Sequence, residues 1–174
     1  MSRKLLSDVE IGELILVLRK FFAFHKELQV SSDVASYIQR PKIPPFLSEA
    51  LVVDLGNRGL LLSLECVDYS LSTTGGDVVA FCDSLPVKIE VKATARSAFQ
   101  LLSKKDIEAD YLIWVHFDTF FEDVEKDDIE FFILREPSSV FEKSRKITLP
   151  VFMKLSGEQL VVDRISLHHY LQLV

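Results

Sequence analysis

The sequence predicts an α/β fold of the α+β kind: a mixed β-sheet flanked by helices, with an N-terminal helical region. Two observations carry this expectation. Apolar residues recur at helical spacing in the first third of the chain. After Gly59 the pattern changes to short apolar and β-branched runs, broken by turn residues and once by a helix-like segment. The order helix, three strands, helix, strand implies a mixed sheet with helices on its faces.

Taken in order, Ile11, Leu14, Ile15, Leu18, Phe21 and Phe22 predict an amphipathic helix from Asp8 to about Lys26, capped by Ser7 or Asp8. A shorter helix is expected over Ser32 to Gln39, ended by Pro41, Pro44 and Pro45. A third helix follows from Phe46 to Asn57, with Pro45 suited to a first turn and Gly56 or Gly59 to the end. "LLLSLECV", "DVVAFCD" and "VKIEVKAT" read as three strands, the first two separated by "STTGG" and the last two close enough to pair as a hairpin. Ser97 to Glu108 reads as a helix. "DYLIWVHF" reads as a strand buried on both faces, "EFFILR" as another, and "VDRISLHHYLQLV" as a closing helix. One domain is expected over 1–174, with a helical region at 1–44, a core at 45–118 and an extension of the same domain at 119–174.

Composition narrows the class. The chain has 174 residues, 48% hydrophobic, with thirteen Phe, a load that excludes a disordered chain. It is long enough to bury a core without disulfide or metal support. A net charge of −6 argues against a uniformly basic nucleic-acid coat but leaves room for local patches. Cys66 and Cys82 lie in apolar runs and read as small core residues, with no disulfide expected. No segment approaches the roughly twenty uncharged apolar residues of a membrane helix, and the N-terminus lacks a signal-peptide core. A soluble, cytoplasmic protein with no membrane partner is expected.

The informative stretch is "LPVKIEVKATARSAFQ". Val87, Ile89 and Val91 share one strand face, and Lys88, Glu90 and Lys92 share the other. The simplest meaning is a half-exposed strand with its charges in water. A sharper one appears when Asp77, thirteen positions before Glu90 and just after Gly75-Gly76, is brought beside it in a hairpin. Two neighbouring carboxylates repel unless a cation lies between them, and Mg²⁺, hard and oxygen-seeking, suits one or two carboxylates with waters and a phosphate.

The stretch "GGDVVAFCDSLPVKIEVKAT" resembles the active-site motif of the PD-(D/E)XK nuclease superfamily, the fold of many type II restriction endonucleases. Asp77 falls on the motif's first acid, Glu90 on its second and Lys92 on its lysine, while Gly76 stands where the named motif has proline. The expected element order matches the superfamily's common core over roughly Pro45 to Asp118. The resemblance implies a restriction-endonuclease-like sheet and a Mg²⁺-dependent endonuclease, with Mn²⁺ as a substitute cation, acting on double-stranded DNA as a homodimer. A structure-specific repair or recombination nuclease, such as a junction resolvase or nicking enzyme, would use the same residues. A non-catalytic DNA-binding module of the same fold is the third reading.

In the family's terms Asp77, Glu90 and the Val91 backbone carbonyl hold the metal, and Lys92 orients the nucleophile or stabilises developing charge. A carboxylate from the preceding helix often joins the site, and Glu49 is the position chosen; Glu65 competes for it, and Asp83 belongs to the turn. DNA contacts are expected from Lys88, Thr94, Arg96, Ser97, Gln100, Lys104 and Lys105. Ser97 could equally cap a helix. The acidic run "EDVEKDDIE", residues 122 to 130, is expected to point away from DNA. Replacing Lys92 by Ala is expected to abolish cleavage and leave folding intact.

Overall fold

The computed structural model describes residues 4–31, 37–73, 76–96 and 98–174. Helix α1 spans Asp8–Ser31. Its start is a reciprocal cap: the Glu10 N–H donates to the Ser7 hydroxyl at 3.3 Å, and the Ser7 N–H donates to the Glu10 carboxylate at 2.9 Å. Ile11, Ile15, Leu18 and Phe22 are buried, whereas Phe21, expected on the same stripe, faces solvent. Of the helix expected over Ser32 to Gln39, residues 32–36 lie outside the described set, and Ile38 and Gln39 are not helical.

Helix α2, Pro45–Asn57, is buried on nearly every side, as its apolar residues from Leu47 to Leu55 require. Past its end at Asn57 and the Arg58 cap, Gly59 has a φ of +67°, left-handed backbone open to glycine. A side chain at Gly56 would meet the Tyr69 ring at 2.7 Å, so α2 lies close against the first strand. Asn57 secures that contact, donating to the Tyr69 carbonyl at 2.9 Å and accepting the Tyr69 N–H at 2.8 Å.

The strands β1 (Cys66–Leu71), β2 (Val78–Cys82) and β3 (Leu85–Thr94) form an antiparallel meander. The β2–β3 turn is Asp83-Ser84, both at positive φ (51° and 65°), the geometry that suits a two-residue hairpin. After β3 come β4 (Gln100–Leu102), α3 (Lys104–Ile107) and β5 (Tyr111–His116). β5 lies parallel to β3, with Glu90 opposite Leu112 and Lys92 opposite Trp114. Then follow β6 (Asp128–Arg135), β7 (Arg145–Ile147), α4 (Leu149–Ser156), β8 (Leu160–Ser166) and α5 (His168–Gln172). The main sheet has the order β1-β2-β3-β5-β6-β8, and β4 pairs with β7 in a second, two-stranded sheet. The mixed α/β class expected from sequence is the class observed, and residues beyond 118 extend the same sheet.

Two cores sandwich the main sheet. Against one face, α1, α2 and α5 bury Ile15, Leu51, Val91, Ile113, Phe117 and Tyr170. Against the other, α3, α4 and the β4–β7 pair bury Leu112, Trp114, Phe132, Phe141 and Phe152. β5, central and apolar, is covered on both sides.

Several expectations are corrected. The first strand begins at Cys66, not Leu60. Leu61 and Leu64 are buried anchors, Leu60 and Leu62 are exposed, and Ser63 is tied to Asp163 through its N–H at 3.0 Å and its hydroxyl at 2.6 Å. An apolar run here marks a loop pinned at two points. The segment expected as one helix to Glu108 divides into β4 and the short α3, because Gln100–Leu102 finds a partner in β7. The closing helix is confined to α5, since Leu160–Ser166 pairs with β6. β7 and α4 were not anticipated. Cys66 and Cys82 sit opposite each other on β1 and β2 and are joined as a disulfide, against the expectation of two free thiols.

Candidate active site

The site forms where β2 and β3 part. The last β2–β3 partners are Val78 and Ile89, and β3 continues for five more residues with only β5 beside it. Asp77, just outside β2, bridges the parting: its N–H donates to the Ile89 carbonyl at 3.0 Å, and its carboxylate accepts the Val91 N–H at 3.0 Å. A side chain thus takes the place a strand would have filled for Val91, whose N–H would otherwise need another acceptor.

Glu90 points to the opposite face from Val91 and is only 2% exposed. The half-exposed charged strand expected as the simplest reading is therefore replaced, over this half of β3, by buried charge. α3 covers it. Ser103 and Asp106 form a capping box, the Asp106 carboxylate accepting the Ser103 N–H at 2.6 Å, and this opens α3 directly over Glu90 and Lys92. The Lys92 ammonium lies 2.7 Å from Asp106, which is 1% exposed. The Lys105 ammonium lies 2.9 Å from Glu90 and 3.4 Å from Asp77. Asp77 and Glu90 do meet, and they meet on a shared cation supplied by the chain.

Burial pushes the Glu90 carboxyl up to about 7, and the neighbouring Asp77 charge and a hydrogen bond with Asp106 reinforce the rise against the pull of Lys105. Burial also works against ionised Asp106, yet its bonds from Lys92 and the Ser103 N–H hold its carboxyl below the usual range. Burial opposes the Lys105 charge, but Glu90 and Asp77 raise its pKa. Near neutral pH this is a nearly balanced cluster in which Glu90 is the group that titrates.

Beside the cluster opens a cleft of about 870 Å³. Its lining includes Glu49 from α2, Asp77, Val91 and Lys92, with Arg96 and Gln100 from the segment after β3. Arg40 and Lys42 line it from the segment before α2. Glu49 is buried and faces the same cleft, but among the described residues no group of three or more His, Cys, Asp or Glu is placed to hold a metal. Glu49 is thus not assembled with Asp77 and Glu90 into one ligand set. Glu65 and Asp83 are exposed, Asp83 in its turn.

The residues expected to contact DNA separate. Lys88 is exposed, away from the cleft, with its N–H donated to Asp110 at 2.7 Å. Thr94 lines the cleft but is buried; its hydroxyl accepts the Trp114 indole N–H at 2.9 Å and lies 3.2 Å from His116 Nδ1. Arg96 lines the cleft and is paired with Glu122, the first residue of the acidic run. Gln100 lines the cleft and donates to the Ala93 carbonyl at 2.8 Å. Lys104 is exposed beside Glu108, and Lys105 belongs to the carboxylate cluster. Ser97 lies outside the described residues.

Sequence reasoning missed Asp106, the pairing role of Lys105, and the cleft residues Arg40 and Lys42. Ser103-Lys104-Lys105-Asp106 carries a signal for the first, the spacing of a capping box. No such signal exists for the others, because only the folded chain brings the segment before α2 to β3. Comparison with family models, curated proteins and solved structures finds no match to this chain.

Proposed function

We propose that the cleft is the active site of a Mg²⁺-dependent DNA endonuclease that hydrolyses phosphodiester bonds, of the PD-(D/E)XK, restriction-endonuclease-like kind. One observation carries the reading: Asp77 and Glu90, distant in sequence, converge on a single cation beside a cleft with basic residues in its walls. The donor set fits a hard divalent ion, since Mg²⁺ is commonly held by one or two carboxylates with the remaining positions left to water and phosphate. A bound Mg²⁺ would supply a water of lowered pKa and neutralise charge on the phosphate.

The chain's own residues do the rest. Asp77, oriented by the Val91 N–H, and Glu90, once it releases its proton and its contact with Lys105, are the ligands. Lys92 lines the cleft and is held by Asp106, so its ammonium is positioned before substrate arrives and can stabilise charge on a phosphate oxygen. Arg40 and Lys42, joined by Arg96 once it lets go of Glu122, would steer a phosphate chain inward. Restriction-type cutting of double-stranded DNA by a homodimer and repair-type cutting of branched DNA call on the same residues.

The test is cleavage of plasmid, linear duplex and single-stranded DNA with Mg²⁺, against an EDTA control and Asp77→Asn. Asparagine retains an oxygen to accept the Val91 N–H, so this variant removes charge without removing the bond. Cutting that disappears in both controls is the expected result. Intact DNA throughout, together with no heat of Mg²⁺ binding in calorimetry, would overturn the proposal and favour a non-catalytic module.

A further inference from the structure

Resting on that reading, we infer that the site takes an unpaired DNA strand, with Phe99 as the platform on which a base stacks. Phe99 is 73% exposed and lines the cleft that contains Asp77 and Lys92. A single exposed aromatic on a protein surface means little. This one stands in the same cleft as Arg40 and Lys42, with Arg96, paired to Glu122, beside them. Cations that follow a phosphate chain, next to an aromatic face open to solvent, are the two parts from which sequence-tolerant single-strand sites are built.

The dimensions agree. A cleft of about 870 Å³ is the size of a site for one drug-sized ligand, roughly 300–1,000 Å³, which is room for one or two nucleotides. Asp77 lies where β2 and β3 part, beneath walls formed by the segment before α2 and the segment after β3. In a continuous duplex the bases are stacked on one another and offer no free face to Phe99; in a single strand, a flap or a branch point they do.

The test separates binding from cutting. Fluorescein-labelled 12-nucleotide DNA, single-stranded and as a blunt duplex of the same sequence, is titrated with the full chain in EDTA and read by anisotropy. Phe99→Ala and Phe99→Trp are measured beside the parent, and the same DNAs are assayed for cleavage with Mg²⁺. Tighter binding of the single strand by tenfold or more, a loss of about tenfold in Phe99→Ala, and recovery in Phe99→Trp are expected. Equal or tighter binding of the duplex, or a Phe99→Ala protein that binds the single strand like the parent, would overturn the inference while leaving the nuclease reading standing if duplex is cut. Neither binding nor cutting of any DNA would overturn both. Because Phe99 is exposed, a failure of either variant to fold is not expected.

Discussion

Lys88 and Lys92 stand four residues apart on the same side of β3, yet one is in solvent and the other is locked to a buried carboxylate. The first half of the strand, from Leu85 to Lys88, is paired only with β2, and its charged face is open. The second half, from Glu90 to Thr94, is paired with β5 and roofed by α3. Alternation along the strand is the same in both halves. What differs is the element that lands on it, so an alternating pattern sets which residues share a face and leaves open which faces meet water.

The largest perturbation of this contrast is Asp106→Ala. It leaves the Lys92 ammonium without its partner, exposes Glu90 to a changed neighbour and removes the cap of α3. Loss of one member of a buried pair costs about 3–5 kcal/mol, and urea unfolding should show a fall in that range. The same pairing corrects the expectation for Lys92→Ala: Asp106 would be stranded, so this protein loses stability along with any activity, and its inactivity alone says little about chemistry.

Next in size is the disulfide at the edge of the open half, where Cys82 lies opposite Leu85 on β3 and is bonded to Cys66. It closes a loop with a sequence separation of 16 residues, for which the constraint on the unfolded chain is worth about 3 kcal/mol. The urea midpoint of the Cys66→Ala/Cys82→Ala protein should drop accordingly, and dithiothreitol should lower the parent's midpoint and leave the variant's unchanged.

The third effect is one of pH. Because Glu90 has its pKa raised in the folded chain from 4.5 to about 7, it is protonated in both states below about pH 4.5 and its neutral form favours folding there. Between these values the unfolded chain ionises first, so stability falls as pH rises, by up to roughly 3 kcal/mol, and levels off above 7. Glu90→Gln should remove this slope when stability is measured across pH 4 to 8. The smallest effect belongs to the open half: Lys88→Ala should change stability by less than about 0.5 kcal/mol.

The residues show why some of this was legible. α2, β2, β3, β5 and β6 have strong local patterns, with turn or cap residues at their ends, and the Asp83-Ser84 turn falls between two clear strands. The run Leu60 to Glu65 misled because burial of alternate leucines in a loop leaves the same composition as a strand. β4 and β7 depend on each other across more than forty residues and, like α4, have little signal of their own. Around β3, the spacing of Asp77, Glu90 and Lys92 pointed to side chains that the fold does bring into one charged cluster. The partners that set their charge states, Lys105 and Asp106, arrive on a helix of four residues that no periodicity could reveal. The disulfide was missed because apolar surroundings suit a free thiol and a bonded one equally.

Lys105 has a consequence for how the cluster behaves when empty. Two carboxylates that wait for a metal normally repel, and a protein built that way depends on its ion to fold. Here the chain carries a resident counter-ion of its own, as an exchange resin is supplied already loaded, and on the proposed reading an incoming cation would trade places with an ammonium instead of filling a gap in the charge balance. Folding would then not depend on loading. The protein's Tm in EDTA should match that in metal-free buffer, and added Mg²⁺ should raise it only by mass action, gradually with concentration.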